Sequence, residues 1–537
     1  MALSFPLRSV AIVGLAAIVI AGCGGGAIQV DGGMIVGATS ADEPGVVSFK
    51  GIPFAAPPVG DLRWMAPQAV IPWDGVRSGA DFGSACLQLP YAEDSFWARL
   101  GNIPADEMSE DCLFLNVWTP ADPAAEKLPV MVWIHGGALT RGSGSRSWWD
   151  GASLARRGVV VVTINYRLAA FGFLAHPALS AESEHGSSGN YGFLDQIAAL
   201  EWVQRNIVRF GGDPDRVTVF GESSGSTSVS VLMATPLAEG LFHRAIGQSG
   251  GAFRPMSRLD KEAEGQPSHE AVGEAFAAEL VGEDRATVEA MRGVSAEEIL
   301  GAYSRLGGRA YGIARGVVDG WVFSDEVHTV FSRGLQHDVP VIVGSNADEG
   351  PPLFERWVPE DSATYADYVE STYGELADEF LELYPNGDQE TIWNSYMKSR
   401  GQARTAWTMN TWARRMEQVS SKAWLYHFTH VPPIPDADRY GAYHAGEIVY
   451  VFDNLDSGGF IEVREPDREV AALMSEYWIN FARSGDPNGE GLPDWPPFTV
   501  DDEVFMEMAA TPVLGKHLLA DEIAFFERFY ARQRAKR

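Results

Sequence analysis

Cysteine is scarce in this chain, with three in 537 residues. No His or Cys cluster has metal-ligand spacing, which disfavours a metal centre. Positive charge is scarce as well. Forty-one Lys and Arg face 72 Asp and Glu, for a formal net charge of -31. A nucleic-acid binder must neutralise phosphates with clustered Lys and Arg, so that class is excluded. There is no internal repeat, and no low-complexity tract beyond Gly24-Gly25-Gly26, which excludes a repeat architecture. What is present is 46% hydrophobic, 11% aromatic and 21% charged, the composition of a globular enzyme. The acidity reads first as a solubility device. Its long-range field would steer neutral or cationic substrates toward the protein.

The N-terminus reads as a targeting segment. Arg8 precedes the apolar run 10–20, too short for a permanent membrane helix but suited to a secretory signal. Ile20-Ala21-Gly22-Cys23 then resembles a bacterial lipobox, whose cysteine is lipidated and becomes the new N-terminus. Residues 1–22 are accordingly expected to be a lipoprotein-type signal peptide, with the glycine run as a flexible tether. A lipidated Cys23 also removes an odd cysteine from an exported chain and leaves Cys86 and Cys112 to pair. Membrane association is expected only through that anchor.

Residues 23–537 read as one catalytic unit. The runs 128–134, 159–164, 217–220 and 339–343 are short, nearly continuous and rich in β-branched residues. That is the pattern of strands covered on both faces. Helical patterns lie between them, notably 194–206, where Leu194, Ile197, Ala198 and Trp202 share a face. The order predicts an α/β fold with a large, mostly parallel central sheet. Segments 268–304 and 365–412 are amphipathic and helical, and read as insertions that cover the site.

Gly221-Glu222-Ser223-Ser224-Gly225 follows the strand-like run 216–220. A strand, a G-x-S-x-G turn and a helix together lift a serine clear of a sheet. The pattern alone is weak, since chance supplies roughly 0.4 copies in a chain of this length. Indeed Gly247-Gln248-Ser249-Gly250-Gly251 matches it too. Residues 226–233 leave room for two helical turns before Pro236, whereas Pro255 soon follows Ser249. Ser223 is therefore the candidate nucleophile, and Ser249 a strand-end residue. A base must reach the serine, and an acid must orient the base. His427 and His430 lie in a strand-like run and His517 near the tail, while His444 sits in the glycine-bearing loop 438–446, which makes it the candidate base. The acid lies in Ser345-Asn346-Ala347-Asp348-Glu349-Gly350, where the residues alone do not choose between Asp348 and Glu349. His135-Gly136-Gly137-Ala138, after the strand-like run before it, would supply oxyanion donors together with the residue after the nucleophile.

Three stretches carry a resemblance to the type-B carboxylesterase family. They are Phe49-Lys50-Gly51-Ile52-Pro53-Phe54 with Ala55-Ala56-Pro57-Pro58-Val59-Gly60, Ser109-Glu110-Asp111-Cys112-Leu113-Phe114-Leu115-Asn116-Val117, and Phe210-Gly211-Gly212-Asp213 leading into the Ser223 turn. The resemblance spans almost the whole mature chain. It implies the α/β-hydrolase fold and hydrolysis of small-molecule esters by a Ser223-His444-Glu349 triad, with no cofactor. It chooses Glu349 over Asp348, places the oxyanion N–H groups at Gly137, Ala138 and Ser224, and matches the Cys86–Cys112 bridge to a family disulfide. The same triad serves lipases and amidases, and some members of the fold lack the nucleophile and act in adhesion. Ala138, Leu139 and Ser224 depart from the commonest family residues, which puts substrate size in question. Trp97 lies in the disulfide loop, but its spacing to Cys112 differs from that of the choline-binding tryptophan.

Overall fold

The computed structural model describes residues 26–39, 44–122, 127–263, 266–283, 286–307, 312–457 and 461–536. The signal segment and Cys23 lie outside them. A ten-stranded sheet dominates, in the order Val513–Lys516, Val504–Met508, Ala423–Phe428, Val341–Asn346, Arg244–Gln248, Gly212–Glu222, Leu128–Ile134, Val160–Ile164, Phe114–Pro120 and Val46–Pro53. The inner pairs are parallel. Both margins are antiparallel, with Val513–Lys516 on Val504–Met508 at one end and Phe114–Pro120 between Val160–Ile164 and Val46–Pro53 at the other.

Each of the four apolar runs expected to be a buried strand is one. Every residue of Val160–Ile164 and Val341–Asn346 is buried, because helices cover both faces of a parallel sheet. Alternation along a strand divides the core in two. Val130, Val132 and Ile134 join one apolar cluster, and Met131 and Trp133 the other. The first cluster takes in Tyr191–Asn206, Ser224–Ala234 and Arg404–Arg415, through Trp202, Leu232 and Trp412 among others. The second takes in Glu465–Ser484 through Met474, Trp478 and Phe481.

Tyr191–Asn206 is pinned by a buried ion pair as well as by packing. Asp195 accepts from the Arg167 backbone N–H at 2.9 Å and from its guanidinium at 2.8 and 2.7 Å. Both side chains are sealed from water, at 0% and 3% exposure. Breaking such a pair leaves one charge buried alone, at a cost of about 3–5 kcal/mol. The pair thereby fixes the loop after Val160–Ile164 against the helix.

The segment 268–304 forms the helices His269–Val281, Val288–Arg292 and Ala296–Arg305. The segment 365–412 is broken into several helices and ends in Arg404–Arg415, which packs directly on Val341–Asn346. That end is core, since Trp412 reaches the sheet at Gly247. Among the described residues no helix is long and apolar enough to cross a membrane, and no group of His, Cys, Asp and Glu is placed to hold a metal ion.

Cys86 and Cys112 are bonded, at a sequence separation of 26. Closing a loop of that length restricts the unfolded chain, a contribution of roughly 3.5 kcal/mol in the chain-entropy account. Cys86→Ser with Cys112→Ser is expected to lower the unfolding free energy by about 3 kcal/mol and to speed proteolysis between the two positions, read by urea titration and limited digestion.

Candidate active site

The strand Gly212–Glu222 runs parallel to its neighbours on both sides and stops at Ser223, which sits at φ 57°, ψ -119°. This left-handed backbone costs a non-glycine residue about 1–3 kcal/mol, and persists only where the surroundings impose it. Here they do. A Cβ on Gly225 would lie 1.9 Å from the Ile134 carbonyl oxygen, one on Gly221 2.6 Å from that same atom, and one on Gly250 2.0 Å from the Ser223 carbonyl oxygen. The Ser223 N–H donates to the Gln248 carbonyl at 2.8 Å, and its own carbonyl accepts from Thr227 N–H at 2.9 Å. Ser223 occupies the N-cap position of Ser224–Ala234, yet its hydroxyl makes no capping hydrogen bond. A serine there ordinarily caps the helix; this one leaves its oxygen free to face a cavity of about 380 Å³.

Ser249 shares the backbone geometry, at φ 57°, with its N–H on the Gly344 carbonyl at 2.8 Å. It differs in access. Ser249 is buried at 5% exposure and takes no part in the cavity wall, and Arg244–Gln248 leads into no helix comparable to the one after Ser223.

Val341–Asn346 delivers the acid loop. Glu349 is fully buried; one carboxylate oxygen accepts from the Asn346 N–H at 2.8 Å, and the other meets His444 Nδ1. Asp348 serves a different end. Its carboxylate accepts from Ala442 N–H at 2.9 Å, and its own N–H donates to the Ala442 carbonyl at 3.0 Å, which ties the acid loop to the histidine loop. Gly441, at φ 57°, leaves room for this contact, since a Cβ there would lie 2.2 Å from the Asp348 carboxylate. Behind the acid loop, Gly350 and Gly401 pack backbone to backbone, where a Cβ on Gly401 would come 2.3 Å from Gly350 N. The remaining histidines are engaged elsewhere. His427 lies within its strand beside Ser345, His430 Nε2 meets Asp467 at 2.6 Å, and His517 lies beside Glu503.

The glycine loop follows Leu128–Ile134. Gly137, Ala138 and Leu139 take φ values of 114°, 58° and 59°, and the N–H groups of Gly137, Ala138 and Ser224 meet no acceptor among the described residues. The loop is braced from below. The Tyr166 hydroxyl donates to the His135 carbonyl at 2.7 Å, the His135 ring stacks on Tyr166, and Leu139 N–H donates to the Ser224 hydroxyl at 3.2 Å. Burial holds the His135 imidazole neutral, its pKa lowered to about 4.

Sequence reasoning missed Glu222, although it is the variable residue of the G-x-S-x-G match. Its carboxylate lies 3.1 Å from His444 Nε2, and Glu222, Ser223 and His444 line one cavity. Burial drives Glu222 well above the ordinary carboxylate range, against the pull of His444. Burial likewise opposes a charged His444, but Glu222 and Glu349 outweigh it and raise the imidazole to about 9. Glu222 and His444 therefore share protons as a unit. Beneath them Glu447, also raised by burial, accepts from Asn346 at 2.6 Å and Gln248 at 3.1 Å. Trp97 was named only for its place in the disulfide loop. Its indole N–H donates to the Pro352 carbonyl at 2.9 Å, and its ring stands edge-on to His444 at 6.2 Å.

The cavity is walled by residues from 91–97, 136–149, 352–357 and 444–448. The helical segments 268–304 and 365–412 contribute none of its lining among the described residues.

A serine raised over a parallel sheet, sharing a cavity with a carboxylate-bound imidazole, defines an α/β-hydrolase-type site. The carboxylesterase family profile matches residues 25–526, and the chain belongs to that family. It is 38% identical over 469 residues to fumonisin B1 esterase of Sphingopyxis macrogoltabida, covering 86% of this chain and 83% of that protein. It is 36% identical over 520 residues to human cocaine esterase (Homo sapiens), covering 90% and 87%. A solved PNB esterase structure superposes with a TM-score of 0.77 at 30% identity, covering 93% of this chain and 99% of the other.

Because Glu222 helps hold the proton on His444, removing its charge is expected to lower the pH at which that imidazole becomes neutral. In Glu222→Gln the acidic limb of the kcat/KM profile is expected to move to lower pH by at least about half a unit. An unchanged limb would place that ionisation elsewhere.

Proposed function

We propose that Ser223 is the nucleophile of a serine carboxylesterase, with His444 as its base and Glu349 as the residue that orients the base. The observation that carries this reading is the contact of the buried Glu349 with His444, whose ring lines the cavity onto which Ser223 also opens. In the first half-reaction His444 takes the Ser223 proton as the oxygen attacks the ester carbonyl. The N–H groups of Gly137, Ala138 and Ser224 receive the oxyanion, and the alcohol departs with the proton from His444. Water then attacks the acyl-enzyme with His444 again as base, and the acid is released. Fixed backbone donors cost no reorganisation during the reaction, and losing one typically reduces the rate by about 10²–10³. The buried Glu349 holds the imidazole with Nδ1 protonated, which leaves Nε2 for the transfer.

The reading extends to the cell. Residues 1–22 direct export, Cys23 carries a lipid, and residues 23–537 are one catalytic unit tethered to the envelope. The Cys86–Cys112 bond supports an oxidising compartment, and the lipobox-like run supports the anchor.

A panel of 4-nitrophenyl esters of rising acyl length tests the chemistry. Ser223→Ala is expected to lose at least about 10³-fold in kcat while folding normally by circular dichroism; turnover equal to wild type would remove Ser223 from the mechanism. Metabolic labelling with a radioactive fatty acid is expected to mark the wild type and not Cys23→Ser, and label retained by the variant would sink the assignment of that residue.

A further inference from the structure

We infer that the side-chain hydroxyl of Ser224 is a positioning group for ester hydrolysis. It holds the 135–139 glycine loop at the height where the N–H groups of Gly137, Ala138 and Ser224 receive one oxyanion. The inference rests on the serine esterase reading above and adds to it a side chain that acts from outside the cavity.

Ser224 has two separate parts to play. Its N–H is one of the three donors of that reading, whereas its side chain is buried at 8% exposure and takes no part in the cavity wall. The hydroxyl oxygen accepts from the Leu139 N–H at 3.2 Å. Leu139 is buried as well, in the left-handed region at φ 59°, and its carbonyl accepts from the Ala169 N–H at 2.8 Å. Both backbone polar groups of Leu139 are therefore held, which fixes the far end of the loop. Tyr166 fixes the near end. Its hydroxyl donates to the His135 carbonyl at 2.7 Å, and it also interacts with the Ser224 hydroxyl. Tyr166 has one proton and gives it to His135, so the Ser224 proton is the one directed at the phenol oxygen. A single chain thus runs from the Leu139 N–H through Ser224 and Tyr166 to the His135 carbonyl, and it clasps both ends of the loop that carries Gly137 and Ala138.

Hydroxyls that donate and accept in turn polarise one another, so the links of such a chain act together. Removing the Ser224 hydroxyl would leave the Leu139 N–H buried without its acceptor, a cost that a turn of the Ala138–Leu139 peptide would relieve. That turn would displace Ala138, whose own N–H is one of the donors. A hydrogen bond weakens steeply with misalignment, and donors stabilise an oxyanion best when fixed in advance. Substrate binding is spared, because the Ser224 side chain lies off the cavity wall. The loss is therefore expected in turnover. Ser224 stands where alanine is frequent in the family pattern, so the clasp is a property of this chain, and its removal is compatible with the fold.

Ser224→Ala, Tyr166→Phe and the double variant test the inference with 4-nitrophenyl acetate. Ser224→Ala is expected to lose about tenfold in kcat, less than the removal of a whole donor costs, with KM within about twofold of wild type. Tyr166→Phe is expected to lower kcat as well, and the double variant to fall no more than about twofold below the worse single variant, because both break one chain. Hexyl trifluoromethyl ketone reads the oxyanion directly. The Ser223 oxygen adds to its carbonyl carbon, the carbonyl electron pair moves onto oxygen, and the Ser223 proton passes to His444. Its affinity is expected to fall in Ser224→Ala by the same factor as kcat, while the secondary alcohol of the same skeleton, which has no carbonyl to attack, binds unchanged. An unchanged kcat, a loss carried by KM alone, equal losses of affinity for ketone and alcohol, or losses that multiply in the double variant each overturn the positioning role. Should one single variant fail to fold by circular dichroism, the comparison of ketone with alcohol on the other decides. Ser223→Ala separates the two readings. If it turns over the ester as the wild type does, the nucleophile assignment fails; if it is inactive while Ser224→Ala matches the wild type in kcat and ketone affinity, only the positioning role fails.

Discussion

Three backbone segments meet beneath Ser223 at distances no side chain can occupy, and the rest of the site is arranged around that crowding. Gly225 lies under the Ile134 carbonyl, Gly221 against both Ile134 and Gly225, and Gly250 under Ser223 itself. Because Ile134 ends the strand that opens into the 135–139 glycine loop, the close approach that lifts the serine also sets the height of that loop's N–H groups relative to it. Ser223 and the 135–139 glycine loop are thus positioned by one steric constraint. The strained φ at Ser223 is held by the sheet, through Gln248, and by the first turn of the following helix.

A second constraint is electrostatic. Glu222, Glu349 and Glu447 are buried close to a single imidazole. Burial raises both Glu222 and Glu447, so a charge on either is costly in so small a volume. The structure spreads the load: His444 faces Glu349 and Glu222, and Glu447 takes hydrogen bonds from Asn346 and Gln248. Glu222 thus lies at the Nε2 face of His444 and Glu349 at its Nδ1 face.

Much of this was legible in the residues because it is local. β-branched runs marked the buried strands, glycines marked the backbone approaches, and the room for a helix after Ser223 separated it from Ser249. Other features were not legible, because they depend on which distant segments meet. Asp348 and Glu349 are neighbours with the same chemistry, so the residues alone left the acid open and only the family resemblance chose Glu349; the approach of the 438–446 loop assigns one to Ala442 and the other to His444. The walls of the cavity were harder still. Helical amphipathicity reports that a face is buried and not what buries it. Arg404–Arg415 accordingly turned out to lie on the sheet, while the disulfide loop and the short helical stretch 352–357, neither long enough to carry a periodic signal, wall the cavity.

The sequence by itself determined the α/β order, the serine turn, the glycine loop and the family resemblance, since each is written in contiguous residues whose backbone needs are local. Tertiary structure alone decided that Glu222 lies against the same imidazole as Glu349, and that the disulfide loop walls the cavity. Those outcomes depend on separations such as the 222 residues between Glu222 and His444, closed by packing on a common sheet. No local pattern encodes them.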